Sequence, residues 1–395
     1  MVQILDTTLR EGEQTPGVYF DSHIKLAIAD MLDNLGIDII EAGHPLVSPE
    51  ICSAVKQIAH RNLRATIGAH ARSWKKDIDQ AVDCGVGFIG IFYCVSNERL
   101  NGVFKKDLNT AIAQIKEMIR HAKQRNPDVI IRYTPEDTVR SEFHNVVKAA
   151  AAAVTAGADI ISIADTTGYM MPGTERNMYD YVKNLKAALA GQGLYPKIAV
   201  HCHNDRGFAL ANAIDAYRAG AEIIDASVLG IGERAGIVDL AQLMIALNDL
   251  KVSGNNNQNR WNLEILPELY QLVSQHSRIP IPVNSPIVGE NAFTHCAGVH
   301  TNAAITDPLH YQSVDPRLVG RNMQICLDHM SGISSIRHAL EQIGINSGDI
   351  RDELTLRVLE RVKAVGQTGR IVRLDELKHI VEWCREHSNS LKVIR

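Results

Sequence analysis

Gly157-Ala158-Asp159-Ile160-Ile161-Ser162-Ile163-Ala164-Asp165-Thr166-Thr167-Gly168 decides how this chain folds. A glycine that closes a helix leads within two residues into a short β-branched run, which ends in a polar turn. The same junction recurs at Gly36-Ile37-Asp38, Gly85-Val86-Gly87 and Gly220-Ala221-Glu222. Candidate strands are Gln3–Asp6, Ile37–Glu41, Ala65–Ala69, Gly87–Tyr93, Val129–Tyr133, Ile160–Ala164, Ile198–His201 and Glu222–Val228. Helical stripes lie between them; Ile24, Ala27, Ile28, Met31, Leu32 and Leu35 form one, ending at Gly36. Strictly alternating βα units imply a parallel sheet covered on both faces, open or closed. Eight units favour a closed (β/α)8 TIM barrel. A Rossmann sheet is disfavoured, because no GxGxxG follows the first strand.

A barrel of this kind takes roughly 250 residues. The chain has 395, so a small, mainly helical C-terminal accessory domain is expected to follow. The expected divisions are a catalytic barrel over 1–252, a linker and accessory subdomain over 253–330, and a helical subdomain over 331–395. The stretch Ser253-Gly254-Asn255-Asn256-Asn257-Gln258-Asn259 reads as loop or linker. Beyond it the pattern predicts helices near 267–277, 333–343, 352–365 and 374–387.

Composition narrows the function. A formal net charge of -4 gives no electrostatic case for nucleic acid or an anionic membrane. Seven cysteines without a CxxC pair indicate dispersed thiols in a reducing compartment. Neither a signal peptide nor an apolar run of spanning length is evident, so a cytoplasmic location is expected.

In a barrel, chemistry sits where strands end and βα loops begin. The seventh strand ends in His201-Cys202-His203-Asn204-Asp205, and the first runs into Asp6-Thr7-Thr8-Leu9-Arg10-Glu11-Gly12-Glu13-Gln14. Residues i and i+2 of a strand share a face, so His201 and His203 can meet one ion while Cys202 points away. Two imidazoles and a carboxylate make an open divalent-metal site.

Leu9-Arg10-Glu11-Gly12-Glu13-Gln14, with Lys25 further on, resembles one signature of the isopropylmalate/homocitrate/citramalate synthases. His201-Cys202-His203-Asn204-Asp205-Arg206-Gly207 resembles the other. Gly230-Ile231-Gly232-Glu233-Arg234-Ala235-Gly236 and Phe293-Thr294-His295-Cys296-Ala297-Gly298-Val299-His300 are further family features, and the likeness covers about residues 1–330. It implies an acyltransferase that condenses acetyl-CoA with a 2-oxo acid on a divalent cation (Mg, Mn or Zn). Glu11, His201 and His203 would hold the metal. Arg10 would stabilise the alkoxide formed on attack, and Thr166 would donate to the 1-carboxylate, although a turn-forming threonine is equally consistent with its position. Glu136 and His300 are the candidate bases, assisted by Tyr311. In similar enzymes that histidine comes from a partner subunit, so a homodimer with a shared active site is expected.

Two residues bear on the acceptor. His70 and Arg132 match positions that read the distal carboxylate of 2-oxoglutarate in homocitrate synthases. An unpaired buried guanidinium is costly, which favours an anionic acceptor over an isopropyl group. The other reading is that Arg132 pairs with a protein carboxylate such as Glu142. Trp74, the loop Cys94-Val95-Ser96-Asn97-Glu98-Arg99-Leu100-Asn101-Gly102, and Glu41-Ala42-Gly43-His44-Pro45 depart from the lysine-pathway pattern, and His44 would add a cation at the mouth of strand two. Phosphonopyruvate and oxaloacetate therefore stand beside 2-oxoglutarate. An acyl-CoA lyase or aldolase is the alternative from another reaction class.

Overall fold

The computed structural model describes residues 2–250, 260–346 and 351–387. The polar stretch at 253–259 lies outside the described residues. Eight parallel strands, β1 (Gln3–Asp6), β2 (Ile39–Glu41), β3 (Thr66–Arg72), β4 (Phe88–Cys94), β5 (Ile130–Glu136), β6 (Ile160–Asp165), β7 (Lys197–Cys202) and β8 (Ile223–Ala226), pair in chain order. The barrel closes where β1 meets β8, with Gln3 opposite Ile223 and Asp6 opposite Ala226. It is the (β/α)8 architecture that the alternating pattern predicts.

The strand ends differ from the sequence reading for local reasons. β2 starts late because the Asp38 side chain accepts from the Ile4 amide at 2.8 Å and from Arg260, so Asp38 serves as a clamp between segments. β5 runs on through Pro135 to Glu136, carried by its pairing with Tyr93 and Cys94 of β4. That extension sets Glu136 at the strand's very end.

Side chains of Asp21, Ser48, Asp107, Asn177 and Asp239 accept from backbone amides in the first turns of their helices. Gly36 closes the first helix with φ 94°, where a Cβ would also come within 2.8 Å of the Arg260 carbonyl. Inside the barrel, Leu5, Ile39, Phe88, Ile160, Ala199 and Ile223 fill one apolar layer. Everything polar in the barrel interior rests on that floor.

By its internal contacts the chain divides into Met1–Ile281 and Pro282–Arg395. Residues 260–281 belong with the barrel: Arg260 grips Asp38, and the Tyr270 hydroxyl accepts from the Ala241 amide at 2.7 Å. In the second unit, helices Ile333–Gln342, Asp352–Gly366 and Leu374–Glu386 enclose a core that includes Leu327, Ile336, Leu340, Val358, Val362 and Leu377. A two-stranded sheet, Thr294–His295 with Gln324–Ile325, lies in the same unit. Among the described residues, no helix is long and apolar enough to cross a membrane.

Gly366 permits the second unit's tightest backbone approach, since a Cβ there would lie 2.1 Å from the His329 nitrogen. Gly366→Ala is therefore expected to destabilise this unit by about 1–3 kcal/mol through overpacking. Hydrogen exchange should quicken in the helices from 333 to 386 and stay unchanged in the barrel strands. Unchanged protection in those helices would contradict the packing account.

Candidate active site

The site grows from three strand ends. After β1 the chain coils back on itself: the amides of Arg10, Glu11 and Gly12 all donate to the Thr7 carbonyl. Buried Lys25 pins this turn, donating to the Leu9 carbonyl at 3.1 Å and to Glu13 at 2.5 Å. On β7, strand alternation turns His201 inward, and His203 follows on the same side; Cys202 faces away, buried, its thiol pushed up by burial.

Glu11, His201 and His203 offer ligand atoms that all lie within 4.8 Å of one another, and all three residues are buried. The two Nε2 atoms face each other at 3.3 Å, and the Glu11 carboxylate is 4.0 Å from His203 Nε2. His203 Nδ1 is buried without a partner among the described residues. Burial resists ionisation of Glu11, but Arg10 and the neighbouring histidines outweigh it and hold the carboxyl at about 2. His203 is lowered to about 4 by burial and by His201, so its ring is neutral at pH 7. Two imidazoles and one carboxylate converging in a buried space fit a divalent cation with open coordination positions.

Support comes from residues the sequence reading passed over. Asp225, on β8, accepts from His201 Nδ1 at 2.9 Å, which leaves Nε2 as the lone-pair nitrogen. The same carboxylate takes both bonds from Arg132 Nη1, at 2.8 and 2.9 Å. Glu41, on β2, accepts from Thr7 at 2.7 Å, Arg10 Nε at 2.6 Å, His70 at 3.2 Å and Arg132 Nη2 at 3.4 Å. Gly90 keeps this junction open; a Cβ there would sit 3.3 Å from Glu41 and 3.4 Å from His70. Burial opposes the Glu41 charge, yet Arg10, His70 and Arg132 hold its carboxyl well below the usual range.

The other reading of Arg132, pairing with a protein carboxylate, thus holds in kind, but the carboxylates are Asp225 and Glu41 and not Glu142. Glu142 instead accepts from the Asn97 amide and from Asn145. Arg132 is doubly paired, so the argument from an unpaired buried charge loses its premise. What remains is Arg132 Nε, buried and without a partner among the described residues. His44 is likewise no free cation at the mouth of β2: its Nε2 is bonded to Asp77 at 2.8 Å, beside Arg72.

A cavity of about 150 Å3 brings together Arg10, Glu11, His70, Arg132, Glu136, Thr166, His201 and His203. His70 stacks on Phe92 at 4.7 Å and is lowered to about 4, chiefly by burial and by Arg10. Glu136 is held through one oxygen by Arg99 at 2.6 Å. The Thr166 hydroxyl accepts from the Asp137 amide at 3.0 Å, so it braces a turn and lines the cavity at once. His300 and Tyr311 lie in the second unit, both exposed, with ring centroids 4.3 Å apart. Glu41, Asp225 and Ser162 were missed, although each interrupts an apolar strand two residues beyond an inward-facing isoleucine (Ile39, Ile223 and Ile160). That parity was the available signal.

Asp225→Asn should lower divalent-cation affinity by about 10- to 100-fold, the usual effect of losing such a support. Calorimetric titration of the purified protein with manganese or zinc measures it. Unchanged affinity would mean that Asp225 does not hold the ligand ring in place.

Residues 1–273 match the family described as HMGL-like, and residues 287–370 match the homocitrate synthase post-HMGL domain-like family. A homocitrate synthase of Pyrococcus horikoshii is 41% identical over 361 residues, spanning 91% of this chain and 94% of that protein. A probable 2-isopropylmalate synthase of Ignicoccus hospitalis is 39% identical over 391 residues, spanning 99% of this chain and 94% of that protein. The crystal structure of the Bacillus subtilis HMG-CoA lyase superposes with a TM-score of 0.58 at 21% identity, over 71% of this chain and 95% of that one, a likeness of fold alone. With both units matched in order and the relatives aligned almost end to end, the chain belongs to the isopropylmalate/homocitrate/citramalate synthase family of enzymes.

Proposed function

We propose that this enzyme condenses acetyl-CoA with an anionic 2-oxo acid and hydrolyses the thioester, releasing CoA and a 2-hydroxy-2-carboxymethyl acid. The observation that carries this reading is the convergence of Glu11, His201 and His203 beside Arg10 in one buried cavity. A divalent cation (Mg, Mn or Zn) on those three residues would supply Lewis acidity toward the carbonyl of the 2-oxo acid. Arg10 is anchored through Nε and Nη1, leaving Nη2 to stabilise the alkoxide that develops as the new C–C bond forms. Thr166, its oxygen already accepting from Asp137, keeps its own proton for the 1-carboxylate.

The acetyl methyl must lose a proton to a positioned base. We assign that role to Glu136: Arg99 fixes one carboxylate oxygen, and the other is without a partner among the described residues. His300 and Tyr311 are assigned to assist proton transfer from the partner subunit of a homodimer. Their exposed, neighbouring rings support a role completed only when a second copy docks.

The preferred acceptor is 2-oxoglutarate, as for a homocitrate synthase, with phosphonopyruvate or oxaloacetate as the other anionic candidates. The lyase reading is disfavoured because residues 287–370 match a homocitrate-synthase-type segment, whereas the lyase likeness covers 71% of this chain and is one of fold alone.

Thiol release from acetyl-CoA should require the 2-oxo acid and the divalent cation together, and His201→Ala should abolish it while leaving the barrel folded. Release without an acceptor, or cleavage of a hydroxyacyl-CoA in its place, would overturn condensation. Shared sites make a second prediction: mixing inactive Glu136→Ala and His300→Ala subunits should restore about a quarter of wild-type activity, from heterodimers with one intact site. No recovery after verified subunit exchange would place both residues in one subunit's site.

A further inference from the structure

Along the chain the seven cysteines are scattered, with no CxxC pair, but the fold brings two of them together. Cys52 lies on the helix Pro49–Ala59, and Cys84 caps the end of the helix Lys75–Asp83. Their Sγ atoms are 3.6 Å apart, although the residues are 32 apart in sequence. The two helices follow β2 and β3, paired neighbours in the barrel wall, so the packing of adjacent βα units sets these thiols side by side. Neither thiol lines the cavity that holds Glu11, His201 and His203.

The surroundings give the pair an order of reaction. Cys52 is partly exposed, and the Gln80 side-chain amide donates to its sulfur at 3.2 Å. Cys84 is buried, its thiol pushed up to about 12 by burial and by its contact with Cys52, while Lys56 pulls the other way. A small solute therefore meets Cys52 first, and Cys84 is held against it as the second thiol. A sulfenic acid formed beside such a thiol condenses with it to a disulfide. That bond needs sulfurs at about 2.0 Å on side chains directed at each other. Contact between the two Sγ atoms already meets the second condition.

We propose that Cys52 and Cys84 form a peroxide-responsive modification site, at which oxidation staples the two helices together within the native barrel. Peroxide transfers one oxygen to Cys52: an S–O bond forms, the O–O bond breaks, and one water leaves. The Cys84 sulfur then attacks the Cys52 sulfur. The S–S bond forms as the S–O bond breaks, and the hydroxyl departs with the Cys84 proton as a second water. Two thiols are oxidised and one peroxide is reduced to two waters. A small-molecule thiol reverses the bridge by exchange. The site is independent of which acceptor the enzyme uses.

The test treats the full chain with hydrogen peroxide, alkylates the remaining thiols and digests the protein without reductant. Mass spectrometry with fragment sequencing should find Cys52 joined to Cys84, two hydrogens lighter, and dithiothreitol should restore both thiols. Cys52→Ser and Cys84→Ala should each abolish this cross-link, with circular dichroism as the check that both variants fold. Oxidised wild type should melt roughly 5 °C above the reduced protein, because the bridge constrains the unfolded chain. Neither variant should show that gain. Cys52 recovered as a sulfinic acid beside a free Cys84, or bridges drawn only from other cysteines, would overturn the pairing. A Cys52–Cys84 bridge that leaves the melting midpoint unchanged, or lowers it, would show that the staple does not fit the native barrel and would overturn the proposal.

Discussion

The site depends on one buried guanidinium, Arg132, clamped between Asp225 and Glu41. These carboxylates do more than neutralise it. Asp225 also fixes the His201 ring, and Glu41 also fixes Arg10, so β7, β8, β5, β2 and the turn after β1 are tied into one hydrogen-bonded network. Buried charges are tolerated only when their bonds are satisfied, and a loop of this kind holds its members in one geometry. A change at the cavity floor is thereby felt at the metal ligands, through two intervening side chains.

The loop also sets the sign of the cavity. Arg10 and Arg132 face Glu11, Glu41 and Asp225, which leaves one net negative charge among these five groups. An acidic 2-oxo acid would be repelled by that arrangement. A divalent cation at Glu11, His201 and His203 reverses the sign, so the proposed reaction demands that the cation precede the acceptor. In the proposed reaction Arg10 would then act through Nη2 as an oriented donor more than as bulk charge.

Much of this was legible in the chain, because strand alternation is a strong rule. Gly-Ala-Asp junctions marked the helix-to-strand passages, and the spacing of His201 and His203 placed both on one face of β7. Arg10 and Glu11 were singled out by the resemblance of Leu9–Gln14 to a family signature, at a strand end where a barrel concentrates its chemistry. What could not be read was pairing across the barrel. Arg132 and Asp225 are 93 residues apart in sequence, and nothing local distinguishes Asp225 from the sequence neighbour Glu142 as a partner. His44 looked like a free cation until its bond to Asp77 became visible, for the same reason. Ser162 was hidden differently: it sits in an otherwise apolar run, where a single hydroxyl reads as ordinary strand filling.

In the proposed reaction the buried charge network receives an acidic acceptor only after a divalent cation has reversed its sign. The most direct measurement is a calorimetric titration of 2-oxoglutarate into chelator-treated protein, repeated with magnesium, manganese or zinc present. No detectable binding to the metal-free protein is expected, and saturable binding once the cation is added. Equal affinity with and without the cation would contradict it, because the acceptor would then be held by the arginines alone.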